Sequence, residues 1–210
     1  MYGFNTVIER NTFLSDGGSS GYGLYLYYDN YYQAGMSRIV NNMITIRNCT
    51  NVYYGVYHYY SNGSLFAHNT IRVESAYASG YALYSYYGAN NSYLNNIVMH
   101  AGAGYAWYVV PGTNVVASNY NNWYSMGVNL AYWGAARTNL AALQAASGQD
   151  GFSKSKPVSF ADITTGNLHL VAPSDDDNDL IGTTLPAVAD DIDLEPRVRP
   201  YMGADEACYL

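Results

Sequence analysis

The chain has 210 residues, enough for one domain with its own core and marginal for two. Charged residues make up only 12%, while tyrosine alone fills 25 positions. Low charge with many aromatics excludes intrinsic disorder. No apolar run approaches the roughly 18–20 residues of a membrane helix, and 9 Lys plus Arg against 16 Asp plus Glu argue against nucleic acid as a partner.

The start, MYGFNTVIER, has neither the basic flank nor the apolar centre of a secretory signal. From there a repeat runs through the first part of the chain. Asn followed by an apolar pair recurs at Asn11, Asn42, Asn69, Asn96 and, less clearly, Asn122. A second motif interleaves with it: Gly23-Leu-Tyr-Leu-Tyr-Tyr, Gly55-Val-Tyr-His-Tyr-Tyr, Ala82-Leu-Tyr-Ser-Tyr-Tyr and Ala106-Trp-Tyr-Val-Val. Within each repeat residues alternate as strands do, as in Ile44-Thr45-Ile46-Arg47 and Ile71-Arg72-Val73-Glu74, with Gly, Asn and Ser between the short runs. Several short strands on one period of this size describe one coil of a solenoid, whose apolar face is buried only by its neighbours.

On the anchors at 41–44, 69–71 and 95–97 the sequence resembles the right-handed parallel β-helix family, the pectate-lyase-like superfamily, over roughly residues 5–125. The resemblance implies a short all-β solenoid with coils over 1–135. It also implies asparagines stacked in a ladder at the turns, where donor and acceptor are both needed. The chain begins almost in mid-coil. A longer, exported gene product is therefore expected, or an open N-terminal rung that self-associates with another copy.

The remainder, 136–210, reads as a capping segment of the same domain with one short helix. Residues 1–137 carry four acids and five arginines; the other twelve acids and four bases all follow. The helix falls at Arg137-Thr-Asn-Leu-Ala-Ala-Leu-Gln-Ala-Ala, with Thr138 or Asn139 as N-cap. Asn167-Leu-His-Leu, Asp191-Ile-Asp-Leu-Glu-Pro-Arg197 and Gly203-Ala-Asp-Glu206 are similar to the closing segment of many bacterial surface β-helix proteins. That segment usually has glycine where Leu194 stands, so the Asp191–Asp193 turn is expected to differ here. The resemblance implies a secreted protein and no particular reaction. Two cysteines, Cys49 and Cys208, do not make a disulfide scaffold.

Stacking brings equivalent residues of successive coils to about 4.8 Å. Counting from the asparagines, and allowing one deletion, Asp16, Arg47, Glu74 and His100 form an outward column. One reading is an acid–base site on an acidic polysaccharide, a lyase or glycosidase. The other is a ladder of alternating charge that holds the strands in register. The resemblance implies that lyases of this fold use acids, often with calcium, and an Arg or Lys base.

Tyr25, Tyr57, Tyr84 and Tyr108 form a second column, with Tyr27, Tyr59 and Tyr86 beside it. Leu24, Val56, Leu83 and Trp107 alternate with them in parity and belong in the core, which turns the tyrosines outward. Such a face suits a sugar polymer, since an aromatic body with a polar tip fits a half-wet contact. Simple tiling of a sheet, or rings filling the interior, are the alternatives. His58 has inward parity and reads as a satisfied core residue, and His68 reads as a turn residue. His169 has no partner motif.

Asp175, Asp177 and Asp179 offer hard oxygens for calcium, but an EF-hand loop needs Gly and Glu where Leu180 and Pro186 stand. Looser calcium binding and a solvated acidic loop both stay open, and no other cofactor is implied. The expectation is a non-catalytic, carbohydrate-interacting surface module. An enzyme on acidic glycans and a purely structural spacer are the alternatives.

Overall fold

The computed structural model describes residues 3–206. Each of five coils gives one strand to each of three parallel sheets. The first sheet stacks Val7–Glu9, Ser37–Val40, Ser64–Ala67, Asn91–Leu94 and Val115–Asn119. Thr12–Asp16, Met43–Cys49, Thr70–Ser75, Ile97–His100 and Asn122–Ser125 make the second. The third holds Gly21–Tyr27, Tyr53–Asn62, Tyr81–Ala89, Tyr105–Val110 and Ala131–Trp133, closed by the antiparallel Ala135–Arg137. The expected β-solenoid is therefore present.

Its core is a set of columns, because the parallel register puts like on like. Ile44, Ile71, Val98 and Trp123 follow one another in the second sheet, and Val56, Leu83, Trp107 and Ala131 in the third, all buried. Trp107 and Trp123 stack at 4.4 Å and fill the last coils.

The sharp corner between the first and second sheets recurs in every coil. Arg10, Asn41, His68, Asn95 and Tyr120 all take the left-handed conformation, φ 52–56°. The residue after each is a ladder asparagine. Asn42 donates both its backbone N–H (3.1 Å) and its Nδ2 (2.9 Å) to Asn69 Oδ1; Asn69 does the same to Asn96, and Asn96 to Asn121. The second Nδ2 hydrogen reaches a carbonyl, Ile39 from Asn69 and Phe66 from Asn96. Each buried amide is thus satisfied on both sides. The fifth rung is Asn121 rather than Asn122, whose side chain instead binds the backbone of Lys156. Asn121 N–H donates to Ser153 Oγ at 2.9 Å, where the ladder ends.

The helix spans Leu140–Ser147, with Asn139 Oδ1 accepting from Ala142 N–H and Gly148 ending it at φ 68°. The chain then passes back and forth over the left-handed corners, meeting the fourth coil at Thr183, the second at Asp190 and the third at Tyr201 and Ala204. Thr183 is bound by Asn95, Tyr201 by His68, Ala204 by Thr70 and Asp190 by Asn41. Arg197, with a side chain 2% exposed, joins this strap to the coils, donating to Asn41 Oδ1 and to the carbonyls of Gly203 and Ala204. Leu194 keeps the glycine-like backbone of its turn, at φ 70°. Cys49 is buried, and Cys208 lies outside the described residues.

Candidate functional site

The third sheet departs from strict alternation at one point in each coil. Gly23, Gly55, Ala82 and Ala106 precede the core residues Leu24, Val56, Leu83 and Trp107, and Ala82 and Ala106 are fully buried beside them. Only a small side chain fits in this column: a Cβ on Gly55 would collide with the Ala82 carbonyl and lie 2.7 Å from the Ile71 side chain. With two residues in succession turned inward, the tyrosines before and after both turn outward.

Four tyrosine columns result. Tyr25, Tyr57, Tyr84, Tyr108 and Tyr132 are in register. Their ring centroids lie 5.1, 5.0, 5.0 and 4.3 Å apart, and beyond the tilted first pair the planes are within 12° of parallel. Tyr27, Tyr59 and Tyr86 stack at 5.4 and 5.3 Å. Sequence reasoning missed the other two columns. Tyr22, Tyr54, Tyr81 and Tyr105 stack at 5.1–5.9 Å, and the signal was there as a tyrosine before the small residue of every repeat. Tyr28, Tyr60 and Tyr87 stack at 5.0 and 4.9 Å at the following corner, each with positive φ. Across the strands Tyr54 meets Tyr57 edge to face at 4.8 Å, whereas Tyr57 and Tyr59 are nearly parallel at 5.5 Å.

This packing decides what the face presents. Ring faces are taken up by neighbours, so solvent meets ring edges and phenol hydroxyls. Burial, with a smaller contribution from adjacent phenols, raises the Tyr57 and Tyr84 pKa, so both hydroxyls stay protonated, able to donate and to accept. The sequence has no Asp, Glu, Lys or Arg between Arg47 and Arg72 or between Glu74 and Arg137, so the central coils give this face no charge. One cavity lies along turns lined by Asn30, Gly63 and Asn90, and another, lined by Gly102, Gly127 and Asn129, borders the face at Tyr105.

The charged column comes together only in part. Asp16 and Arg47 are in register, 3.5 Å apart, and Asn48 Nδ2 donates to Asp16 Oδ1. Glu74 is paired at 2.9 Å with Arg72 on its own strand. His100 is not in this column. Ile97–His100 pairs residue for residue with Thr70–Val73, so His100 follows Val73 inward and is fully buried. The deletion expected before it does not occur within the strand. Burial lowers its pKa to about 4, its Nδ1 accepts from Gly104 N–H, and its Nε2 has no hydrogen-bond partner among the described residues. The outer face therefore lacks an imidazole beside these carboxylates.

The other histidines are structural or lie in the tail. His58 is buried between Tyr93 Oη at 3.0 Å and Ser64 Oγ at 3.1 Å, and burial lowers its pKa to about 4. His68 holds the tail through Tyr201 O and is held by Asn95. His169 has partners that the sequence did not reveal. Its Nε2 lies 2.6 Å from Asp193 Oδ2 and 4.0 Å from Asp205 Oδ1, and its Nδ1 lies against Asn167 Oδ1. Among the described residues His169, Asp193 and Asp205 are the group whose ligand atoms converge closely enough for a metal ion. Of the three acids expected as calcium ligands, Asp177 and Asp179 are bound to lysine. Lys156 reaches both and Lys154 reaches Asp179. Asp175 is half-buried in the same loop.

No known protein family, curated protein or solved structure matches the chain.

Proposed function

We propose that this chain is a non-catalytic carbohydrate-binding module of an exported protein, whose contact surface is the tyrosine sheet. The parallel coils, asparagine ladder and returning tail support grouping it with pectate-lyase-like surface proteins. One observation carries the reading: Tyr25, Tyr57, Tyr84 and Tyr108, with Tyr27, Tyr59 and Tyr86 beside them, form an ordered outward face rimmed with hydroxyls. Polar groups on an aromatic support suit a ligand that is itself half apolar ring and half hydroxyl.

An enzyme on acidic glycans finds less support. Arg47 and Arg72 are already neutralised by Asp16 and Glu74, and His100 is out of reach of solvent. The test is retention on a polysaccharide affinity gel. Tyr57→Ala with Tyr84→Ala should lose retention while the variant still unfolds in one cooperative transition; unchanged retention would leave the array as tiling on a spacer. Release of unsaturated, ultraviolet-absorbing products from an acidic polysaccharide would restore the enzymatic reading.

A further inference from the structure

The tyrosine face has a direction. Along the solenoid axis the same side chain recurs at 4.3–5.1 Å over five coils, from Tyr25 to Tyr132. Along a strand the pattern changes with every residue and runs out after three or four rings. Edge-to-face contact at Tyr54–Tyr57 gives way to near-parallel rings at Tyr57–Tyr59. Only a ligand lying across the coils meets the same surroundings at each of its repeating units.

Resting on the glycan-binding reading, we propose that the face binds an uncharged, extended polysaccharide whose chain lies parallel to the solenoid axis, one sugar unit following another up the tyrosine columns. Charge selects against acidic glycans. A uronate laid on this face would lose hydration and find no cation, because the central coils carry none between Arg47 and Arg72 or from Glu74 to Arg137. Shape selects against short fragments. Along the central columns the ring faces are covered by one another, Tyr57 by Tyr84 and Tyr84 by Tyr108, so no single sugar is enclosed between them. Each unit gains an edge contact and one or two half-wet hydrogen bonds. Useful affinity then comes from many units held at once, the second and later ones at high effective concentration. A polymer supplies that number and a disaccharide does not.

The probes are β-1,4-linked glucose oligomers from two to eight units, amorphous cellulose and polygalacturonate. Cellulose should retain it, and raised salt should not release it, because no charge pair is involved. Oligomer affinity should climb with each added unit and level off near the number of coils, with a gain of at least about tenfold between the shortest and longest. Polygalacturonate should not compete. Tyr57→Phe with Tyr84→Phe keeps the packing and removes two hydroxyls; this variant should fold as the parent does and bind cellulose several-fold more weakly. The inference is overturned if the disaccharide binds as tightly as the octamer, if the charged polymer is preferred, or if the Phe variant binds unchanged. It is equally overturned if sedimentation finds a dimer that Tyr57→Ala with Tyr84→Ala dissociates, since a second copy would then cover the face. Retention by no glycan at all would instead remove the binding reading beneath it.

Discussion

The phenol rings of Tyr57 and Tyr84 belong to successive coils and lie parallel, their centroids 5.0 Å apart and their planes 4° apart. The spacing is that of the coils themselves, so the array is as regular as the backbone beneath it. Removing one ring breaks a column without opening the core, since Val56 and Leu83 remain buried below. Tyr84→Ala should therefore cost about 2–3 kcal/mol of stability, since its ring touches those of Tyr54, Tyr57, Tyr81, Tyr86 and Tyr108, while retention on a neutral polysaccharide falls. Phe152→Ala, on the tail and stacked only on Tyr120 among the ring contacts described, should leave retention unchanged. Chemical denaturation and an affinity gel run on the same samples check both.

The asparagine ladder predicts a large, position-dependent loss. Asn69→Ala would leave the Asn42 N–H and Nδ2 without their acceptor, and the Ile39 carbonyl without the Asn69 donor, all in a dry interior. Each orphaned group costs about 1–3 kcal/mol, so the variant should lose about 4 kcal/mol or fail to fold. Asn11→Ala, at the exposed first rung, keeps the backbone N–H bond to Asn42 Oδ1, withdraws only the Nδ2 donor and should cost about 1 kcal/mol. Urea midpoints separate the two.

Leu194 holds a left-handed backbone, φ 70°, and is 65% exposed. It bears the steric cost of its Cβ and has little packing to lose. Leu194→Gly should stabilise the fold by up to about 1 kcal/mol, which is a rise of about 2–4 °C in melting temperature for a chain of this size. A fall on calorimetry would mean that the greater freedom of glycine in the unfolded chain outweighs the relief of strain.

Stability should fall as the pH drops from 6.5 to 4. His58 and His100 are held at about 4 by burial, and His68 is also lowered, first by burial and then by Arg197. All three sit below the ordinary histidine value. The unfolded chain therefore takes up protons that the folded chain refuses, and stability complete above pH 6.5 is lost on the way down. His58 accounts for about 3 kcal/mol of that slope. Since both of its partners are hydroxyls, an amide can bridge them. His58→Gln should flatten the profile between pH 6.5 and 4 in urea titrations, and an unchanged slope would assign the acid sensitivity to His68 and His100.

Much of the scaffold was legible without coordinates. The period of the asparagines and the alternation around Ile44–Arg47 point to the strands and the solenoid, because local spacing decides which way a side chain points from its own strand, while outward tyrosines at 25 and 57 stood beside the reading of rings filling the interior. The sequence offered Thr138 or Asn139 as the N-cap, and Asn139 takes that place. The departures lie where one coil must be aligned with the next. Asn121 rather than Asn122 completes the ladder, and His100 follows Val73 inward rather than Glu74 outward, because strand pairing sets the register between coils.

The charge-free tyrosine face was written in the sequence, one motif per coil. What the tertiary structure alone decided was that its rings stack on one another, so that edges and hydroxyls rather than ring faces meet solvent. It alone brought His169 to Asp193 and Asp205 and laid the tail along the corners. These contacts join segments far apart in the chain, and no local pattern encodes the distance between residues that meet only after the coils have closed.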